Sequence, residues 1–242
     1  MRYSILILSF MVFNTVHALE SIPSYQASLD QFMEKSKASK SPFSEKDQAI
    51  MKKADESLAS SLPDPGIKVG KMAPDFTLKN AFGEEINLKQ ELRKGPVILV
   101  FYRGAWCPFC NMHLHVLQQS LPQFKKYGAQ LITITPQTPD KSAEQIGKDG
   151  YPFQVLSDLD SQVMKDYKLY FEIPDDLVSV YKHVGLDIEA FNGKGRNVLP
   201  VPGSFVIDKN GIVRAMQART DYKLRMEPEA IIDAMMQISS DN

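Results

Sequence analysis

The chain has 242 residues, with 28 Lys and Arg against 29 Asp and Glu, a formal net charge of −1. That balance lacks the basic excess that grips a phosphate backbone, so nucleic acid is not an expected partner. The length suits one medium domain with an appendage, and 43% hydrophobic residues is ordinary for a globular protein.

Residues 1–18 read as a signal peptide. Arg2 gives a positive start, Ile5 to Phe13 a short apolar core, and Val16-His17-Ala18 the small residues that a signal peptidase reads. The apolar run is short for a bilayer span. Cleavage after Ala18 and export to a periplasmic or secreted location are expected, with an uncleaved anchor as the competing reading. No cysteine follows the cleavage point, which argues against a lipoprotein.

Residues 19–66 read as a helical arm and linker, loosely attached. Leu29, Phe32 and Met33 suggest one helix. Ser44 before Glu45-Lys46-Asp47 looks like the cap and acidic first turn of a second, with Ile50, Met51, Ala54 and Leu58 on its apolar side. Pro63-Asp64-Pro65-Gly66 then breaks the helix.

Residues 67–242 form the main domain. Asp75 to Leu78 predicts a short strand, Asn80 to Gly83 a turn, and Ile86 to Leu88 a second extended segment. Val97 to Phe101 is an apolar run of the kind that makes a buried strand. Leu114, Leu117, Leu121 and Phe124 then fall at helical spacing, with Pro122 expected to kink or split that helix. Gln130 to Thr135 predicts a strand, Ser142 to Lys148 a helix, Phe153 to Leu156 a strand, and Ser157 to Tyr167 a helix. Phe171 to Leu199 reads as an insertion with one helix from Pro174 to Tyr181. Ser204 to Ile207 and Ile212 to Gln217 flank a hairpin turn at Asp208-Lys209-Asn210-Gly211, and a last helix starts near Glu227. Alternating strands and helices imply an α/β sandwich on a mixed sheet.

Between the apolar strand and the next helix lies Phe101-Tyr102-Arg103-Gly104-Ala105-Trp106-Cys107-Pro108-Phe109-Cys110, which holds both cysteines of the chain. A C-x-x-C pair at the start of a helix meets unpaired N–H groups and the positive end of the helix dipole, which favour the reactive thiolate. A redox dithiol is the reading. A structural disulfide closing so short a loop would restrain the unfolded chain little. A zinc half-site with His113 or His115 would need further ligands, and those two histidines point to different sides of a helix. No metal and no cofactor are expected. By helix position Cys107 should be the more exposed and the more acidic thiol.

Several of these stretches together resemble the thioredoxin superfamily, and within it the peroxiredoxins of the alkyl hydroperoxide reductase / thiol-specific antioxidant type. Val69 to Leu78 looks like the family's opening strand, Phe153 to Asp158 like the stretch before its next helix, and Phe205 to Gly211 like its late hairpin. The resemblance implies a thioredoxin-like sandwich from about Ile67 to Ile238. The active-site motif departs from the family's Pro-x-x-x-Thr/Ser-x-x-Cys: Arg103 stands at the proline, Cys107 at the threonine, and Cys110 at the peroxidatic cysteine. The family's later arginine falls on Pro202. Trp106-Cys107-Pro108-Phe109-Cys110 is instead similar to the motifs of thioredoxin-type reductases and glutaredoxins, and Val201-Pro202 stands where thioredoxins carry a cis-proline.

Two enzymatic functions follow from the resemblance. One is a thiol peroxidase acting on hydrogen peroxide or organic hydroperoxides, with Cys110 peroxidatic, Cys107 resolving and Arg103 steadying the thiolate. A thioredoxin-like or glutaredoxin-like reductant would regenerate the pair, and a homodimer is a possible assembly. The other is an exported thiol–disulfide oxidoreductase, in which Cys107 attacks a protein disulfide and Trp106, Val201 and Pro202 form the docking lip. A non-enzymatic metal carrier using both thiolates is the third class, with no third ligand placed by the motif.

Overall fold

A computed structural model of the chain describes residues 22–38 and 40–240; the expected signal peptide lies outside them. Two helices come first. α1 (Tyr25–Lys37) begins at Ser24, whose side chain accepts from the Ala27 N–H. α2 (Glu45–Ser61) begins at a capping box in which Ser44 and Asp47 bond reciprocally, satisfying two otherwise orphaned donors.

The remaining elements are β1 (Thr77–Asn80), β2 (Glu85–Asn87), α3 (Leu88–Leu92), β3 (Val97–Phe101), α4 (Pro108–Lys125), β4 (Gln130–Thr135), α5 (Pro139–Asp149), β5 (Gln154–Ser157), α6 (Gln162–Asp166), β6 (Tyr170–Glu172), α7 (Asp175–His183), α8 (Glu189–Asn192), β7 (Val198–Pro200), β8 (Gly203–Ile207), β9 (Val213–Ala218) and α9 (Pro228–Ser240). Seven strands make one sheet in the order β2-β1-β5-β4-β3-β8-β9. β3, β4 and β5 run parallel, and β1 and β8 join them antiparallel, so the sheet is mixed as expected. β6 and β7 pair separately.

β3 is buried at every position. Successive strand side chains point to opposite faces, and β3 divides its residues accordingly. Val97, Leu99 and Phe101 pack with Ile132, Leu156 and Phe205, while Ile98 and Val100 pack with Leu114, Leu117, Ile231 and Met235. Covering on both faces is why the strand reads as a continuous apolar run rather than an alternating one. Its carboxyl end is therefore fixed from both sides, and that end carries the dithiol loop.

The arm is docked rather than loose. Tyr25 and Leu29 of α1 are buried against Val116, Phe109 and Met112 of α4. α2 lays Ile50, Met51 and Ala54 against the core formed by Ile173, Leu177, Val180 and Leu199 of the 171–199 segment. Arm and insertion thus serve as each other's packing partner.

Three local expectations are corrected. Leu88 opens α3 instead of extending β2, because the Asn87 side chain accepts the Gln90 N–H and caps a helix there. Pro122 does not split α4, which continues to Lys125; the missing N–H falls only one turn before the end. The helix after β5 starts at Gln162 rather than near Ser157. Asp158 folds back to accept the Met164 N–H at 2.8 Å, and Ser161 takes a φ of 64° to make that turn.

Candidate active site

The loop from Tyr102 to Trp106 is held by polar side chains rather than by strand pairing. Tyr102 adds one last bond to β4, through its N–H to the Ile134 carbonyl at 3.0 Å. Gln137 then accepts the Ala105 N–H at 2.7 Å, and Asn111 donates to the Ala105 carbonyl at 2.7 Å. Gln145 joins the two halves by accepting from Tyr102 Oη at 2.8 Å and donating to Asn111 at 3.1 Å. Gly104 is required here: its φ is 148°, and an added Cβ would lie 2.6 Å from the Trp106 indole nitrogen.

Cys107 is the N-cap of α4, with Pro108 in the first helical turn, and the Cys110 and Asn111 N–H groups both bond the Cys107 carbonyl. Both cysteines are free thiols and both are buried, 2% exposed for Cys107 and 1% for Cys110. Neither thiol is open to solvent, so exposure does not set Cys107 apart as expected. The expected order of acidity is corrected. Burial pushes the Cys107 thiol well up, and its hydrogen bond to Cys110 and the negative charge there push it further. For Cys110, burial also acts upward but is outweighed. The Cys107 hydrogen bond, the Arg225 guanidinium, the Arg103 backbone N–H and the Arg103 charge together bring it down to about 5. Within the pair, the surroundings favour the charged form at Cys110 and oppose it at Cys107.

After the Cys107 sulfur, the next largest influence holding Cys110 down is a residue the sequence did not single out. Arg225, in the loop between β9 and α9, places Nη2 3.5 Å from Cys110 Sγ. Its other nitrogen, Nη1, donates to the Tyr222 and Leu224 carbonyls, which hold the guanidinium in place. Arg225 stands in no motif. The only available signal is an arginine in a polar loop just before the last helix, and the contact it makes spans 115 positions.

The other predicted residues separate. Arg103 is 5% exposed, with its guanidinium 4.1 Å from the centroid of the Tyr222 ring and 5.8 Å from that of Phe171. Trp106 is half-buried and packs on Tyr181 at 6.3 Å between ring centroids. Val201 and Pro202 reach the carboxyl end of β3, because register places Gly203 opposite Phe101. Both are buried, and no peptide bond among the described residues is cis. They form no exposed lip, and the cis-proline expectation is corrected. The Val201 N–H instead bonds the Leu169 carbonyl at 2.7 Å, tying this stretch inward.

The histidines near the motif have other work. His113 is buried with Nε2 3.1 Å from the Met226 carbonyl, while His115 is exposed beside Tyr151. Among the described residues no three His, Cys, Asp or Glu side chains stand together as a metal site.

The profile of the AhpC/TSA family matches residues 69–216. The chain belongs to the AhpC/TSA family. It is 30% identical over 169 residues to the chloroplastic peroxiredoxin Q of Suaeda salsa, covering 69% of this chain and 65% of that protein. It is 28% identical over 162 residues to the thiol-disulfide oxidoreductase ResA of Geobacillus kaustophilus, covering 66% and 75%. The chain thus spans just under two thirds of the length of the Suaeda protein. In structure it is similar to peroxidoxin BcpB from Mycobacterium tuberculosis, with a TM-score of 0.56, 21% identity, and coverage of 73% of this chain and 99% of that one. A yeast mitochondrial 1-Cys peroxiredoxin gives a TM-score of 0.57 at 16% identity, covering 72% and 78%. The thioredoxin-like sandwich is therefore the fold of this AhpC/TSA member, and the arm residues 22–66 lie before the stretch that matches the family.

Proposed function

We propose that the protein is a thiol peroxidase in which Cys110 is the attacking sulfur and Cys107 the resolving one. The observation that carries this is the asymmetry of the buried pair. Cys110, at the family's peroxidatic position, is held as a thiolate by a thiol donor and two arginines, while Cys107 stays protonated. The thiolate attacks the terminal oxygen of a hydroperoxide ROOH. The O–O bond breaks, the sulfur becomes a sulfenic acid, and RO⁻ takes a proton and leaves as ROH. Cys107 sulfur then attacks the sulfenic sulfur, water departs, and the pair becomes a disulfide. Because the two cysteines stand three residues apart in the first turn of α4, with the Cys110 N–H bonded to the Cys107 carbonyl, closing the bridge asks for little movement. An external dithiol of thioredoxin-like or glutaredoxin-like type returns the pair to thiols.

Similarity to a protein named as a thiol-disulfide oxidoreductase, together with Trp106-Cys107-Pro108-Phe109-Cys110, supports the second reading, exchange with protein disulfides. That chemistry attacks through the amino-terminal cysteine of the motif. Here Cys107 is buried and its thiol is pushed up, which favours a small substrate that can reach a buried sulfur over a protein disulfide that must dock on an exposed one. Stopped-flow mixing of the reduced protein with hydrogen peroxide, set against reduction of insulin disulfides, decides between them. Fast peroxide consumption with slow insulin reduction upholds the first, and the reverse pattern replaces it with the second.

The same proposal places the enzyme outside the cytoplasm, on the strength of the apolar segment and small residues before Leu19. Mature protein from the native host should begin at Leu19, and soluble protein retaining Met1 would remove the assignment. A homodimer completes the proposal, with sizing chromatography as its check.

A further inference from the structure

Two buried arginines, Arg103 and Arg225, act on the Cys110 sulfur, and neither pairs with a carboxylate in any ion pair among the described residues. A guanidinium taken out of water needs other groups to hold it. The Arg103 Nε is buried with no hydrogen-bond partner. What stands against this guanidinium is the Tyr222 ring, 4.1 Å away at its centroid, with Phe171 farther off at 5.8 Å. Arg225 is held by the same residue through a different group. Its Nη1 donates to the Tyr222 carbonyl, and to the Leu224 carbonyl at 3.1 Å.

Tyr222 therefore touches both cations, one through its side chain and one through its main chain. It touches the motif as well. Its ring meets Phe109, which lies between the two cysteines, edge-on at 5.5 Å, and Phe32 of α1 backs Phe109 at 5.4 Å. The other charged or titratable groups near the ring are Asp55 of α2, Tyr181 of α7, Cys107, and Lys223, whose Nζ is 5.8 Å from the centroid. At 4.1 Å, Arg103 is the nearer of the two cations over this ring and draws more from it. Tyr222 and Arg225 both lie beyond residue 216, where the match to the family ends. The arrangement is a property of this chain's own loop between β9 and α9.

We infer that Tyr222 is a positioning residue of the dithiol, its ring fixing Arg103 and its carbonyl fixing Arg225, so that one residue aims both cations at the Cys110 sulfur. The inference deepens the peroxidase reading above, on which its part in the reaction rests. An aromatic face holds a cation without neutralising it, as a carboxylate would, so the Arg103 charge stays available to the sulfur. A neutral carbonyl does the same for Arg225. The contact of the ring with Phe109 ties both placements to the turn that carries the cysteines. Such placement matters to rate, because a displacement of about 1 Å in a reacting constellation can cost about a hundredfold.

The test titrates the Cys110 thiol by thiolate absorbance in the full chain carrying Cys107→Ser. Tyr222→Leu removes the ring and keeps the main-chain carbonyl; Tyr222→Met takes its place if the leucine variant does not fold. The midpoint should rise by about one pH unit as both cations lose their aim. The pH profile of single-turnover hydrogen peroxide consumption should move with it. Tyr222→Phe keeps the ring and should restore both the midpoint and the profile. In an Arg103→Met background, Tyr222→Leu should move the midpoint by less than it does alone, because the ring then has one cation fewer to aim. A folded leucine or methionine variant that loses stability to urea with its midpoint unmoved would reduce Tyr222 to packing and overturn the inference. A phenylalanine variant shifted as far as the leucine one would overturn it too, as would a leucine shift undiminished by Arg103→Met. If the protein with Tyr222 intact consumes no peroxide, the peroxidase reading fails, and the midpoints alone still decide whether Tyr222 positions the arginines.

Discussion

Arg225 Nη2 sits 3.5 Å from Cys110 Sγ, a contact made across 115 positions of sequence. It supplies the guanidinium that Pro202 cannot supply at the position expected for the family's later arginine. The cation has moved to a different loop, and the thiolate it serves is the same one. In Arg225→Met the Cys110 thiol should rise by about one to three pH units, since an opposite charge at this range lowers an acid by that much. Thiolate absorbance at about 240 nm, followed against pH in a Cys107→Ser background, reads the change. In the protein with Arg225 intact, reactivity with peroxide should fade as pH falls through about 5, where Cys110 takes up its proton. An unchanged midpoint in Arg225→Met would mean that Arg103 and the helix terminus set the thiol without Arg225.

The loop carrying Arg225 is clamped by the arm. Tyr25 Oη donates to the Lys223 carbonyl at 2.7 Å, while the Tyr25 and Gln26 N–H groups donate to the Glu227 carboxylate at 2.8 and 2.7 Å. The Tyr25 ring also meets His113 edge-on at 5.4 Å. Tyr25→Ala should cost about 3 kcal/mol of stability by removing a buried ring. It should also raise the Cys110 thiol, because Arg225 loses its anchor. Tyr25→Phe, which loses only the hydroxyl bond, should cost about 1 kcal/mol. Urea unfolding and the thiolate titration measure the two effects separately. A stability loss with the Cys110 midpoint unmoved would show that the arm braces the fold but not the site.

What was legible in the sequence is what local pattern encodes. Val97 to Phe101 announces a two-face-buried strand, Cys107 and Cys110 a dithiol at a helix start, and Ser44 a helix cap. Relative acidity was not legible, because position on a helix ranks Cys107 first while tertiary contacts rank Cys110 first. Arg225 escaped for the same reason: nothing within its own loop marks it. The docking of the arm escaped because α1 and α2 bury little apart from Tyr25 and Leu29, so their composition reads as exposed. Val201-Pro202 was placed correctly along the chain, at the end of β3, but its burial depends on Leu169, a partner that no pattern names.

His113 gives the fold a dependence on pH. Burial, and then the like charge of Arg225, push its imidazole down to about 3, against the partial offset of the Met226 carbonyl. The neutral ring therefore carries its proton on Nε2, facing that carbonyl. An unfolded histidine titrates near about 6.5. Between those values the unfolded chain binds a proton that the folded chain refuses, so stability from this group is whole above about 6.5 and fades as pH falls toward 3. Asp158 acts in the opposite sense below about 6, where burial has pushed its carboxyl up. The difference between wild type and His113→Gln isolates the histidine. From pH 7 to 4.5 the wild type should lose about 2 kcal/mol more than the variant, by urea unfolding at each pH. Parallel losses would mean that His113 is protonated inside the fold.

The two cysteines should separate cleanly by single substitution. Each Ser variant should lose multi-turnover activity, because the chain holds no third cysteine to resolve or attack. Cys107→Ser keeps the thiolate beside Arg225 and Arg103 and offers a serine hydroxyl in place of the thiol donor. It should consume about one equivalent of peroxide and stop at the sulfenic acid, which dimedone labelling and mass measurement detect. Cys110→Ser keeps only the sulfur whose thiol is pushed well up, so at pH 7 it should react far more slowly. If Cys110→Ser instead reacts once and Cys107→Ser is inert, the roles are exchanged and the contact between Arg225 and Cys110 orients a resolving sulfur. If neither consumes peroxide while one of them traps a stable mixed disulfide with a protein, the attack is on disulfides, and the buried pair must open before it can act.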